Sequence, residues 1–206
     1  MKNMGIPLKK NDRLYTYADY LTWPDEERWE LIEGVAYDMS PAPNRRHQHI
    51  LGQLFRKIAD FLDDKPCQAY FAPFDLRLSE KGPIAKDAEI TNVVQPDLSV
   101  YCREHALDER GARGAPDLIA EILSPHTSLK DQREKLLLYE RFQVKEYWII
   151  DPERSFLWAY RLQDRDLYGK PEVFGPEDTV KSTALQGFSV NLGTLFTELE
   201  EKKPPG

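Results

Sequence analysis

Apolar residues recur along this chain with two distinct periods. Between residues 45 and 63, Ile50, Leu51, Leu54, Ile58, Phe61 and Leu62 return every three or four positions, which predicts a long amphipathic helix. A second helix is expected to run to about Phe142, with Thr127 or Ser128 as cap and Asp131 as the capping-box partner of Ser128. A short one spans Thr16 to Trp23, where Thr16 and Asp19 make the same pattern. Strand-like runs fall at 68–78, Pro96–Tyr101, Asp117–Leu123 and Lys145–Ile150. Residues 29–40 read as a hairpin turning at Glu33-Gly34, with Trp29 and Leu31 alternating against Glu30 and Ile32. Residues 79–92 read as loop, and 103–115 as loop or short helix. The C-terminal third offers β-like runs at Phe156–Leu162 and Val180–Leu192, a short helix near 193–199 and a frayed tail.

These elements predict one α/β domain over residues 1–206 with a core at about 45–150. No run of about 18 apolar residues predicts a membrane span, and the first residues lack the apolar segment of a secretory signal. Cys67 and Cys102 are too few and too far apart to point to a disulfide framework or a thiolate zinc site, so a reducing cytoplasm is the default. The net charge of -7 argues against a general nucleic-acid coat. It leaves a nuclease open, because a carboxylate site is acidic before its metal arrives and a local rim can meet phosphates. Arg45, Arg46, Arg56, Lys57, Lys130 and Arg133 are candidates for that rim.

The chemistry lies between residues 95 and 151. Side chains two apart in a strand share a face, so Asp117, Ile119, Glu121 and Leu123 stand together. A carboxylate in such an apolar run is costly to ionise unless something pairs with it. Glu121 therefore calls for a partner, either a buried cation such as Lys135 or a metal ion. Asp97, on the preceding strand, can complete a pair of acids, and two carboxylates from adjacent strands suit a hard divalent cation. Lys135 and Tyr139 are four apart on the helix that follows, so they share a face that can fold back over Glu121.

The segments QPDLSVY, PDLIAEILSPHT and DQREKLLLYERFQVKEYWIIDPE resemble the Uma-type restriction endonuclease family of the PD-(D/E)XK nuclease superfamily. YADYLTW, WELIEGVAYDMSPAP, RRHQHILGQL and LQGFSVNL extend the resemblance over nearly the whole chain. It implies a restriction-endonuclease-like mixed sheet flanked by helices, in an α-β-β-β-α-β order, with an N-terminal hairpin and C-terminal β additions. It also implies a metal-dependent endonuclease acting on nucleic acid, DNA above all. Asp97 and Glu121 would be metal ligands for Mg2+ or Mn2+, with the backbone carbonyl of Ile122 completing the set. Where many members of the superfamily carry lysine, this chain has Leu123, and Lys135 would replace it from the helix. Glu30 would add a third carboxylate, and His47 and Tyr139 are further candidates beside the substrate.

His49, His105 and His126 lack zinc-site spacing, and no phosphate-cradling glycine motif is present. Two other classes compete with the nuclease. One is a catalytically inactive nucleic-acid-binding or interaction module on the same fold, to which Leu123 points. The other is a glycosidase-like acid and base pair, for which the sequence offers no aromatic platform. A homodimer suits cleavage of two strands.

Overall fold

A strand with apolar side chains on both faces must be covered twice, and residues 118–122 impose that requirement here. The computed structural model describes residues 13–24, 27–39, 44–103, 106–124, 129–164 and 166–197, except the side chains of 129–131. The expected caps Thr127 and Ser128 lie outside the described residues, as do His105, His126 and the tail; the side chains of Lys130 and Asp131 are likewise undescribed.

The N-terminal part comprises α1 (Tyr17–Tyr20), β1 (Trp29–Ile32), β2 (Val35–Asp38) and α2 (Arg45–Leu62). The middle holds β3 (Gln68–Phe71), β4 (Leu76–Leu78), β5 (Asn92–Val94), β6 (Leu98–Tyr101), β7 (Leu107–Asp108), β8 (Gly111–Arg113) and β9 (Leu118–Ile122). Next come α3 (Leu129–Arg141), β10 (Glu146–Asp151), β11 (Phe156–Arg161), β12 (Glu172–Phe174), β13 (Thr179–Lys181), β14 (Ser189–Asn191) and α4 (Gly193–Phe196).

One mixed sheet runs β12-β11-β10-β9-β6-β3, with β9 and β10 parallel and the other pairs antiparallel. Along the chain α2, β3, β6, β9, α3 and β10 give the expected α-β-β-β-α-β order. A second sheet runs β2-β1-β5-β4-β8-β7, and β13 and β14 form a separate ribbon. Leu118, Ala120 and Ile122 of β9 face a core shared with Ile50, Leu54 and Ile58 of α2 and with Val180, Phe188, Val190 and Leu195. Ile119 faces the opposite core, with Leu138 and Tyr139 of α3 and with Ile32, Leu76 and Val94 of the second sheet.

The hairpin and the short helix form as their local signals require. Glu33 and Gly34 both take positive φ, 51° and 76°, which two-residue hairpin turns need. Thr16 caps α1 and Asp19 returns a bond to the Thr16 N–H at 2.9 Å.

Five expectations are corrected. Residues 68–78 make two strands in different sheets, because Pro73 cannot donate to a ladder and the chain crosses between sheets there. Residues 79–92 include two 3-10 turns, Gly82–Ile84 and Asp87–Glu89, and the start of β5. The 103–115 excursion contains the hairpin β7–β8. Buried Arg77 organises it, donating to Asp108 at 2.5 Å and to the Ala112 carbonyl at 3.2 Å. Cys67 and Cys102 form a disulfide although 35 residues separate them. The register that sets Gln68 opposite Tyr101 brings them face to face, which removes the cysteine argument for a reducing compartment. The run Val180–Leu192 resolves into the ribbon strands β13 and β14.

Besides its apolar contacts, the ribbon is tied to the main sheet by the Arg161 guanidinium, which donates to the Lys181 carbonyl at 2.8 Å, and by a buried carboxylate. Glu146 of β10 accepts from the Ser182 hydroxyl at 2.6 Å and from the Thr183 and Ala184 N–H groups at 2.8 and 3.0 Å. The Trp148 indole N–H donates to its other oxygen at 2.9 Å. Glu146→Ala leaves those donors buried and unpaired, so it is expected to cost about 3 kcal/mol. Urea denaturation checks this: an unchanged midpoint would mean that the ribbon is anchored elsewhere.

Candidate active site

The site assembles where β6 and β9 end beneath α3. Continuing the register in which Leu98 faces Ala120 sets Asp97 opposite Glu121. The two acids thus come from adjacent strands on the α3 face. One Asp97 oxygen, Oδ2, accepts from the Ile122 N–H at 2.8 Å and lies 3.0 Å from His47 Nε2. His47 reaches it from the first turn of α2, which covers the other face of the sheet. The His47 Nδ1 is buried without a partner. A protonated ring would strand a buried N–H there, so the neutral tautomer that donates from Nε2 satisfies the site best.

Glu121 is held from above. Lys135 Nζ and the Tyr139 hydroxyl, one turn apart on α3, both donate to its Oε1, at 3.0 and 2.9 Å. Lys135 Nζ also lies 3.0 Å from Oε1 of Glu30 in β1. Glu30 is buried, and its Oε1 further accepts the Gln95 N–H at 2.9 Å. A single ammonium therefore joins carboxylates from the two sheets. Leu123 packs into the apolar cluster on this face and contributes no polar group.

Burial dominates the electrostatics. Loss of water raises the Glu121 pKa, Lys135 lowers it, and Asp97 and Glu30 raise it again, to about 7. Burial and the neighbouring Glu121 push the Tyr139 hydroxyl well above its ordinary range, which keeps it a donor. Each acid retains an oxygen that these hydrogen bonds do not use, Asp97 Oδ1 and Glu121 Oε2. Their side chains are 20% and 13% exposed. A strand residue's N–H and C=O point to the same side. The Ile122 carbonyl therefore faces the Asp97 edge with its N–H. Among the described residues no group of three His, Cys, Asp or Glu side chains closes on a common point for a metal.

All seven residues singled out in the sequence (Glu30, His47, Asp97, Glu121, Ile122, Lys135 and Tyr139) meet in this one region. Of the rim candidates, Arg45 and Arg46 sit on the same turn of α2 as His47, while Arg56 is farther along and exposed. Gln95 was missed. Its position immediately before Pro96-Asp97 is the signal that points to it.

The model of the Uma2 family, described as "Putative restriction endonuclease", matches residues 17–193. The chain belongs to this family. The Uma2 match spans every residue of the site, from Glu30 to Tyr139. In fold the chain is similar to the crystal structure of a "putative nuclease" from Anabaena variabilis. That likeness has a TM-score of 0.70 and 23% identity, covering 88% of this chain and 97% of the other. No curated protein matches the chain.

Glu121 binds its proton more tightly in the folded than in the unfolded chain. Its contribution to stability is therefore present in full below the ordinary carboxylate range and is lost as the pH rises through about 7. Without metal, Glu121→Gln is expected to raise stability at pH 8 by on the order of 1–3 kcal/mol, a gain that shrinks toward pH 5. Thermal or urea unfolding at both pH values tests it. A merely structural ion pair would instead lose roughly 3–5 kcal/mol in this variant.

Proposed function

We propose that this protein is a metal-dependent endonuclease that hydrolyses phosphodiester bonds of DNA, with Mg2+ or Mn2+ held by Asp97, Glu121 and the Ile122 carbonyl. The observation that carries the reading is the convergence of Glu121, Lys135 and Glu30 beside an Asp97 whose orientation two donors fix. These residues fit a hard cation. Asp97 Oδ1 and Glu121 Oε2 are spared by the hydrogen bonds around them, and a divalent ion would offset the burial, and after it the repulsion from Asp97 and Glu30, that raise Glu121. When bound, such an ion polarises the phosphoryl group and lowers the pKa of a water.

The chain's own residues have separate tasks. His47 and the Ile122 N–H aim Asp97. Tyr139 and Lys135 both hold the Glu121 carboxylate in place through its Oε1. The Lys135 ammonium, reaching the site from α3, supplies the donor that Leu123 cannot, to orient the attacking water or meet charge on the phosphate oxygens. Glu30 holds that ammonium in position. Arg45 and Arg46 extend the site toward the nucleic-acid backbone. A homodimer fits cleavage of both strands, with the exposed Phe156 and Val173 on β11 and β12 as its contact. A cytoplasmic site of action follows from the proposed DNA substrate.

A second reading has one observation in its favour. Lys135 already neutralises Glu30 and Glu121, as in a module that binds nucleic acid without cutting it.

Titration calorimetry with Mn2+, with and without an oligonucleotide, distinguishes the two. Wild-type protein is expected to bind, and Asp97→Ala and Glu121→Ala to lose binding while staying folded. Cleavage in Mn2+ should fall at least 100-fold in Lys135→Ala, of the order expected for a preorganised donor. Absence of metal binding in both formats would leave the non-catalytic module.

A further inference from the structure

A cleft of about 460 Å³ opens on the far side of Gln95 from the carboxylates. One wall is aromatic: Tyr17 and Tyr20 stack with centroids 5.7 Å apart, and Tyr20 meets Trp23 at 5.4 Å. No periodic pattern along the chain announces this aromatic surface. Arg28 and Arg110, both exposed, stand at the cleft as cations. Its polar floor is Asp75 and Gln95.

The floor is built and tied to the site described above. The Gln95 side-chain amide donates to Asp75 Oδ1 at 2.9 Å and to the Tyr20 hydroxyl at 3.4 Å, and accepts from Arg28 at 2.9 Å. Its backbone N–H holds Glu30. Two residues further along the chain is Asp97. Asp75 has its pKa raised by burial, and besides Gln95 it is reached by the Tyr20 hydroxyl and, at a long 3.5 Å, by the Tyr17 hydroxyl. It thus retains capacity to accept from a ligand.

We propose that this cleft binds an unstacked nucleobase of the strand being cut. The base would lie against Tyr20 and Trp23 with its edge toward Asp75, and the adjoining phosphates would meet Arg28 and Arg110. Aromatic faces with polar groups at their edge take up bases displaced from a stack, and guanidinium groups beside them follow the backbone. The volume falls in the range of small-molecule pockets. Gln95 links the base's position to Glu30 and so to Lys135. This inference rests on the nuclease reading for its choice of ligand.

Binding can be read apart from cleavage. Fluorescence anisotropy in EDTA would measure a labelled single-stranded oligonucleotide and a set of copies in which each base in turn is abasic. Wild type should lose roughly tenfold in affinity at one abasic position, in line with one stacked base. Tyr20→Ala should lose a similar amount on the intact strand and nothing further on that abasic copy. Arg110→Ala, an exposed change, should weaken every copy alike, and circular dichroism checks that the variants fold. If no abasic position matters, or its effect adds in full to that of Tyr20→Ala, the base subsite is overturned. Absence of binding by wild type overturns it too. Metal-dependent cleavage that survives a silent abasic scan removes the subsite and leaves the nuclease. Tyr20-dependent base binding without cleavage in Mn2+ does the reverse.

Discussion

The ammonium of Lys135 is the joint on which this architecture closes. It meets Glu30 from one sheet and Glu121 from the other, while its own helix covers the face between them. An ion cluster of this kind, almost out of water, is weak evidence for stability: desolvation of the ions offsets much of their attraction. Well-packed apolar side chains in the same places would hold the sheets together at least as well. A buried cluster whose desolvation offsets its attraction is what the proposed cation site would require.

Much of that was legible in the chain. The period of α2 and the alternation of β9 are strong because both elements are long enough to show their period and have one face on a core. Glu121 stood out because it interrupts an apolar run, and the four-residue spacing of Lys135 and Tyr139 put them on one helical face. Once the strand and helix order was read, their meeting followed from how a helix packs back over the sheet it leaves.

The rest was hidden for physical reasons. Strands of two or three residues, such as β7, β8 and β5, carry no measurable period, and their pairing is set by buried Arg77 and by neighbours distant in sequence. The strand break near Pro73 is masked by the aromatics around it, which look β-forming in composition. The Cys67–Cys102 bond depends on the register between β3 and β6, which neither cysteine announces. The aromatic wall of Tyr17, Tyr20 and Trp23 is local, but Asp75 and Gln95, which make it a cleft, arrive from elsewhere.

The apolar stripe of α2 is buried partly by residues near the other end of the chain. Phe61 meets Phe188 at 5.3 Å, and Leu195 and Phe196 belong to the same cluster as Ile50 and Leu54. During synthesis, which proceeds from the N-terminus, α2 and one face of the sheet must wait for residues 180–196 before they are covered. Nascent chains in that interval present a continuous greasy surface. The segment from 45 to 150 therefore shares its core with residues 180–196. That surface is covered only when residues 180–196 fold onto it.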